Sequence, residues 1–189
     1  YSFSAGFSAG FPTCSGAGTA SVESLVERAA EFGLPSLALT DVDNLHGQPR
    51  FHDLCQRLGM HAITGAEISL GHADGRVAVL VRDEHGYRNL CRVLSAVRGG
   101  RGAIAQRRAA VDPFETIAAH ANGLFVLTDD AQALRHFASL DVGADALRAL
   151  LLRPERGTPD ALLAAAAELG VATVAAADAH VLDPGDGAV

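Results

Sequence analysis

The side chains best able to do chemistry stand at the ends of short apolar runs. SLALT (36–40) leads into Asp41, HAITGA (61–66) into Glu67, and GLFVLT (123–128) into Asp129 and Asp130. VATVAAA (171–177) leads into Asp178, followed two residues later by His180. In an extended segment, residues i and i+2 project to the same side, so Asp178 and His180 can present a carboxylate and an imidazole together. Carboxylates from neighbouring strand ends would complete a donor set suited to Mg²⁺, Mn²⁺ or Zn²⁺. The competing use of the same residues is structural. Asp near a strand end also forms turns and caps helices, and Asp43 and Asn44 lean toward that role.

The elements that must position these groups repeat one grammar. VESLVERAAEF (22–32) places Val22, Leu25, Val26, Ala29 and Ala30 on one helical stripe. Ser21 can cap that helix and Glu23 sits in its first turn, where the helix dipole favours an anion. Gly33 supplies a left-handed stop before the strand LPSLALT. The unit recurs in RFHDLCQRLG–MHAITGAEISL and in PDALLAAAAELG–VATVAAADAH, with Gly59 and Gly170 in the place of Gly33. RVAVLV reads as a strand leading to the helical GYRNLCRVLSAV, DPFETIAAHAN as a helix before GLFVLT, and DAQALRHFASL as a helix. ALRALLLR fits either state. Short apolar strands separated by helices predict parallel βα units, hence a layered α/β fold or a (β/α) barrel whose ligand sites gather at the strand carboxyl ends.

With 189 residues and 49% hydrophobic composition, the chain fits one domain better than two. No apolar run reaches the length of a membrane span and no leader opens the sequence, so a cytoplasmic location with no membrane partner is expected. The net charge of −7 argues against a dedicated nucleic-acid binder. Cys14, Cys55 and Cys91 are odd in number, widely spaced and without CxxC, which fits reduced thiols. Arg101, Arg107 and Arg108 lie in the one locally basic segment, either a solvated loop or a phosphate or DNA contact. Gly16-x-Gly18-x-x-Ser21 satisfies neither a dinucleotide nor a P-loop fingerprint, and no GxSxG or HExxH occurs. His52 and Cys55 share a helix face, but a surface histidine beside a buried cysteine explains them more simply than a shared metal.

In their order, SVESLVERAAEFGLPSLALTDVDNLHGQPRF, ITGAEISL, VAVLVRDEHGYRNLCRVLS, DPFETIAAHANGLFVLT and AAADAHVLDP resemble the PHP (polymerase and histidinol phosphatase) domain of bacterial C-family DNA polymerases, both the polymerase III alpha subunit and its error-prone relatives. GYRNLCRVLS resembles the polymerase-associated branch in particular. The resemblance implies an α/β fold of the distorted (β/α)7 TIM-like barrel type, in full or shortened form, over a single domain 1–189 with an N-terminal segment 1–13 of unassigned conformation. It also implies a metal cluster at the strand carboxyl ends.

Several residues depart from the family's motifs. No His-x-His pair occurs within FSAGFPTCSG. Thr40-Asp41-Val42 has valine where the family has histidine, Arg76 replaces the histidine that opens the next strand, with His72 poorly spaced to substitute, and Asp129-Asp130 follow GLFVLT. GAE keeps Glu67, and the closing Asp-x-His keeps Asp178 and His180. The resemblance thus implies a degenerate site retaining at most one divalent metal, held by some of Glu67, Asp130, Asp178 and His180 with Asp41, or none. The expected role is structural, docking onto polymerase catalytic domains and a proofreading exonuclease subunit and meeting DNA indirectly. The alternative is a metal-dependent phosphoesterase or 3'-5' exonuclease with a reduced site.

Overall fold

A computed structural model of the chain describes residues 6–7, 21–70, 76–99, 111–151 and 160–176. The elements run β1 (Gly6–Phe7), α1 (Val22–Glu31), β2 (Ser36–Val42), α2 (Gln48–Arg57), β3 (His61–Ser69), β4 (Arg76–Val81), α3 (Glu84–Gly99), α4 (Pro113–Ala119), β5 (Leu124–Thr128), α5 (Ala131–Ser139), β6 (Leu147–Leu151), α6 (Asp160–Leu169) and β7 (Ala172–Ala175). Within the two-way segment ALRALLLR, Leu147–Leu151 form β6. Of the opening segment, Gly6 and Phe7 pair parallel with Ala38 and Leu39 as a first strand. No helix among the described residues is long and apolar enough to cross a membrane.

The strands neighbour one another in chain order, β1 to β7, in one seven-stranded sheet. A doubly wound sheet would reverse its order at a switch point; sequential order is the winding of a barrel. One strand departs from the all-parallel expectation. β4 pairs antiparallel with both β3 and β5, while every other pairing is parallel. The cause is legible locally: only six residues separate β3 from β4, too few for the crossover that a parallel return needs.

The sheet has two unlike faces. Leu37 and Leu39 of β2 pack with Val22, Leu25 and Val26 of α1 and Phe51 and Cys55 of α2. Ala66, Ile68, Val77, Val79, Leu124 and Val126 meet α3 to α6 in the main core. On the opposite, barrel-side face a smaller cluster of Ala38, Leu80 and Leu127 gathers Ile63, Ala78, Phe125 and Leu150. Strand alternation then assigns every other residue to a side, since successive side chains point to opposite faces.

Helix ends follow the predicted stops. Ser21 Oγ accepts from the Ser24 N–H at 3.1 Å, and Gly33, Gly59 and Gly170 have φ of 67°, 70° and 65°. Two further glycines act through contact. A Cβ on Gly86, in the first turn of α3, would lie 1.8 Å from the Gly123 carbonyl oxygen, so the helix seats directly on the chain entering β5. The seat is fastened on both sides: the Gly86 N–H donates to Asp83 Oδ1 at 2.8 Å and the Asn89 side-chain amide to the Asn122 carbonyl at 2.8 Å.

Gly86→Ala should therefore destabilise the fold by about 1–3 kcal/mol, the range for overpacking a close contact. Gly99→Ala, where nothing lies within 4 Å of the added carbon, should cost nothing measurable. Urea denaturation of the two variants checks this contrast.

Candidate functional site

The carboxyl end of β2 is where the sequence concentrates its polar groups, and Asp41, Asp43, Asn44 and Gln48 each make a hydrogen bond there, while the buried Thr40 Oγ1 and Gln48 Oε1 find no partner among the described residues. Asp41 alternates with Leu37 and Leu39, so its side chain lies on the helix side of the sheet. It is buried, 5% exposed, and Oδ2 accepts the Gly47 N–H at 3.1 Å. Gly47 approaches closely: an added Cβ would sit 2.9 Å from Leu39 Cδ2 and 3.0 Å from Asp41 Oδ2, so the ends of these side chains would have to shift. Burial raises the Asp41 pKa above the ordinary carboxylate value, opposed by the Gly47 hydrogen bond and by His46 nearby.

Asp43 adopts φ 53°, the left-handed region that Asp tolerates better than most residues. Its carboxylate ties β2 to β3, with Oδ1 accepting the Ser69 N–H at 2.9 Å and Oδ2 the Ser69 hydroxyl at 2.7 Å. Its own N–H donates to the Glu67 carbonyl at 2.8 Å. Asn44 closes the turn, donating to the Val42 carbonyl at 2.8 Å and accepting the His46 N–H at 2.9 Å. Gln48, buried at the start of α2, donates through Nε2 to Leu39 O at 2.8 Å and Gly65 O at 3.1 Å. TDVDNLHGQ is thus a hydrogen-bonded exit from β2 into α2.

Val42 and Glu67 are partners in the parallel register and lie on the barrel side, in line with Ala38 and Ile63. Glu67 is half-buried and continues to Ala78 on β4; Arg76 stands opposite Ser69. Asp130 is exposed and caps α5, its Oδ1 accepting the Ala133 N–H at 2.7 Å. The structure therefore places Asp41 on the helix side, Glu67 on the barrel side and Asp130 on a helix cap. Among the described residues no three His, Cys, Asp or Glu side chains gather as metal donors. The described donors do not fit a metal cluster. Asp178, His180, His72, Arg101, Arg107, Arg108, Cys14, Gly16 and Gly18 lie outside the described residues.

The pair on α2 resolves as the simpler reading has it. Cys55 is fully buried and burial pushes its thiol up to about 11, leaving it protonated. His52 is exposed, with Nε2 2.8 Å from Thr64 Oγ1; burial first and His61 second push its pKa down. Three roles escaped the sequence reading: the Gln48 bridge, the Gly47 approach and the Gly86–Gly123 seat. Glycine in the first turn of a strongly amphipathic helix was the available signal for the last, since propensity disfavours it there.

Two outcomes are expected at this exit. Asp43→Ala should cost about 1.5–3 kcal/mol, the value of hydrogen bonds to a charged group, with Asp43→Asn costing less, as measured by denaturant unfolding. For Asp41, a folded pKa above the unfolded one means the native state holds the proton more tightly. Wild-type stability then falls as pH rises from the ordinary Asp value through the raised one. Asp41→Asn, whose side-chain oxygen can still accept from Gly47, should lack this loss. Its stability relative to wild type should improve as pH rises from the ordinary Asp value through the raised one; a flat difference across a pH series of unfolding curves would contradict the burial argument.

The PHP domain model matches residues 12–153 of the chain. The error-prone DNA polymerase of Anaeromyxobacter sp. (strain K) is 44% identical over 119 residues, covering 58% of this chain and 10% of that protein. The error-prone DNA polymerase of Mycobacterium tuberculosis (strain ATCC 25618 / H37Rv) is 33% identical over 201 residues, covering 90% of this chain and 18% of that protein. The chain thus spans between a tenth and a fifth of the length of these relatives. Among solved structures, a protein from Bifidobacterium adolescentis described as a candidate metal-dependent phosphoesterase superposes with a TM-score of 0.57 at 17% identity, over 94% of this chain and 88% of that one. That likeness is one of fold, and it agrees with the sequentially wound, distorted barrel. With most of its length matched by the family model and its sequence shared with error-prone polymerases, the chain belongs to the PHP domain family.

Proposed function

We propose that this domain serves a C-family DNA polymerase of the error-prone kind as a structural and docking module, with a metal site too depleted to drive phosphoester hydrolysis. The observation that carries the reading is Val42 standing level with Glu67 on the barrel side. An isopropyl group there offers no lone pair beside the Glu67 carboxylate, while Asp41 and Asp43 are committed to backbone and hydroxyl donors. A metal held by fewer donors binds more weakly, because each lost first-shell ligand removes both affinity and charge balance. The fold persists under this loss because helix-side packing and the β2 exit do not depend on the barrel-side donors. Polymerase catalytic domains and a proofreading exonuclease subunit are the partners this reading assigns.

The second reading is a phosphoesterase with a single retained Mg²⁺, Mn²⁺ or Zn²⁺. It is favoured by Glu67 on the barrel side and by the phosphoesterase description of a structural neighbour. In it, Glu67, Asp178 and His180 hold the ion.

Metal analysis of the purified chain together with a phosphodiester assay in added Mn²⁺ separates the two. The docking reading expects no stoichiometric metal and no turnover, and binding to the polymerase body or exonuclease subunit in a pull-down. Stoichiometric metal with turnover abolished by Asp178→Asn and His180→Ala would overturn it. Val42→His, which adds an imidazole beside Glu67, should raise Mn²⁺ affinity by about tenfold or more, the usual size of a site-completing change; calorimetric titration reads this directly.

A further inference from the structure

Helix α3 buries Leu90, Val93, Leu94 and Val97 in the main core, so its opposite face is fixed toward solvent. That face is basic beyond its first turn. It carries Tyr87, 46% exposed, with Arg88, Arg92, Ser95 and Arg98, all exposed. The only acid on the helix is Glu84, in the first turn. On α1 and α2, by contrast, the exposed arginines are interleaved with acids and paired to them, Arg28 with Glu31 and Arg57 with Asp53. From residue 85 to residue 111 the sequence holds six of the fifteen Lys and Arg residues and none of the twenty-two Asp and Glu. In a chain of net charge −7, this is a local inversion of sign.

The contacts these arginines already make are weak competitors. Arg88 pairs with Glu84 in an exposed i,i+4 bridge, and Arg92 Nη1 donates to Asn89 Oδ1 at 2.9 Å. Exposed pairs of this kind contribute little, and each guanidinium keeps further donors for a phosphate. The helix rise sets Arg88 and Arg92 about 6 Å apart along the axis and Arg98 about 9 Å farther on, a row suited to a run of phosphates rather than a single anion. Tyr87 adds an exposed ring beside the row, a surface on which a base can stack. A run of phosphates and a stacked base belong together in one ligand class.

We infer that the exposed face of α3 binds single-stranded nucleic acid, with Arg88, Arg92 and Arg98 on successive phosphates and Tyr87 under one base. The inference does not depend on whether the barrel retains a metal, and it survives or fails apart from the docking reading.

Fluorescence anisotropy of the chain with a labelled oligothymidylate across a salt series tests it. Binding is expected at low salt, weakening linearly on a log–log plot. Arg92→Ala with Arg98→Ala should reduce the slope by about 1.4, two single-strand phosphate contacts. Tyr87→Ala should weaken binding about fivefold or more while leaving the slope unchanged, with Tyr87→Phe close to wild type. Ser95→Glu, which exchanges an exposed hydroxyl bonded to the Cys91 carbonyl for a negative charge on the same face, should weaken binding even if the arginine variant folds poorly. No binding at low salt overturns the proposal. So does an affinity unchanged in both the arginine and Ser95→Glu variants, or polyglutamate competing as well as the oligonucleotide, which would mark a surface for acidic proteins instead.

Discussion

The exit from β2 is the constraint around which this half of the molecule is organised. Between Val42 and Gln48 the chain must leave a central position in the sheet, turn, and enter a helix packed against the strand it has just left. The backbone groups exposed by that turn lie close to a buried interface, and an unmet N–H or carbonyl there would cost about as much as a lost hydrogen bond. Asp41 answers for Gly47, Asp43 for Ser69, Asn44 for Val42 and His46, and Gln48 for Leu39 and Gly65. The acids act as hydrogen-bond acceptors within the fold. Their density at a strand end is the same feature that suggests a metal site in the sequence, because both uses need carboxylates near unpaired positive or partly positive groups.

The reversed strand β4 sets a second constraint. Because β4 runs opposite to its neighbours, α3 begins at the amino end of the parallel strands, beside the chain entering β5. There it must sit close to Gly123, which requires glycine on both sides of the contact and the Asn89 anchor to Asn122. The GYRN portion of the polymerase-like motif is thereby accounted for in part by packing: Gly86 for clearance, Asn89 for the anchor. Tyr87 and Arg88 face solvent and take no part in that seat, so packing gives no reason for their identity.

Much of the architecture was legible because its signals are local. Each helix of the repeated unit was marked by a 3.6-residue stripe and a left-handed glycine, and Gly33, Gly59 and Gly170 sit where those marks place them. β6 was ambiguous because LRALL is apolar without a period that separates strand from helix. The direction of β4 depended on a loop length whose meaning appears only once both flanking segments are known to be strands. The candidate site was less legible, since residue type names a donor but not the face it occupies. One step of strand register separates Asp41, on the helix side, from Val42, on the barrel side.

That single step gives the two sides of one strand different duties. Residues on the helix side are held by packing and by the turn: Leu37 and Leu39 fill the α1–α2 core, and Asp41 secures the loop that starts α2. Substituting any of them would remove packing or a hydrogen bond. The barrel side carries a smaller apolar cluster, and Val42, on that side, is not part of the helix-side core, so a change at position 42 opens no cavity there. The two faces of one strand are therefore subject to different physical penalties, and the acid at position 41 serves the turn through its bond to Gly47.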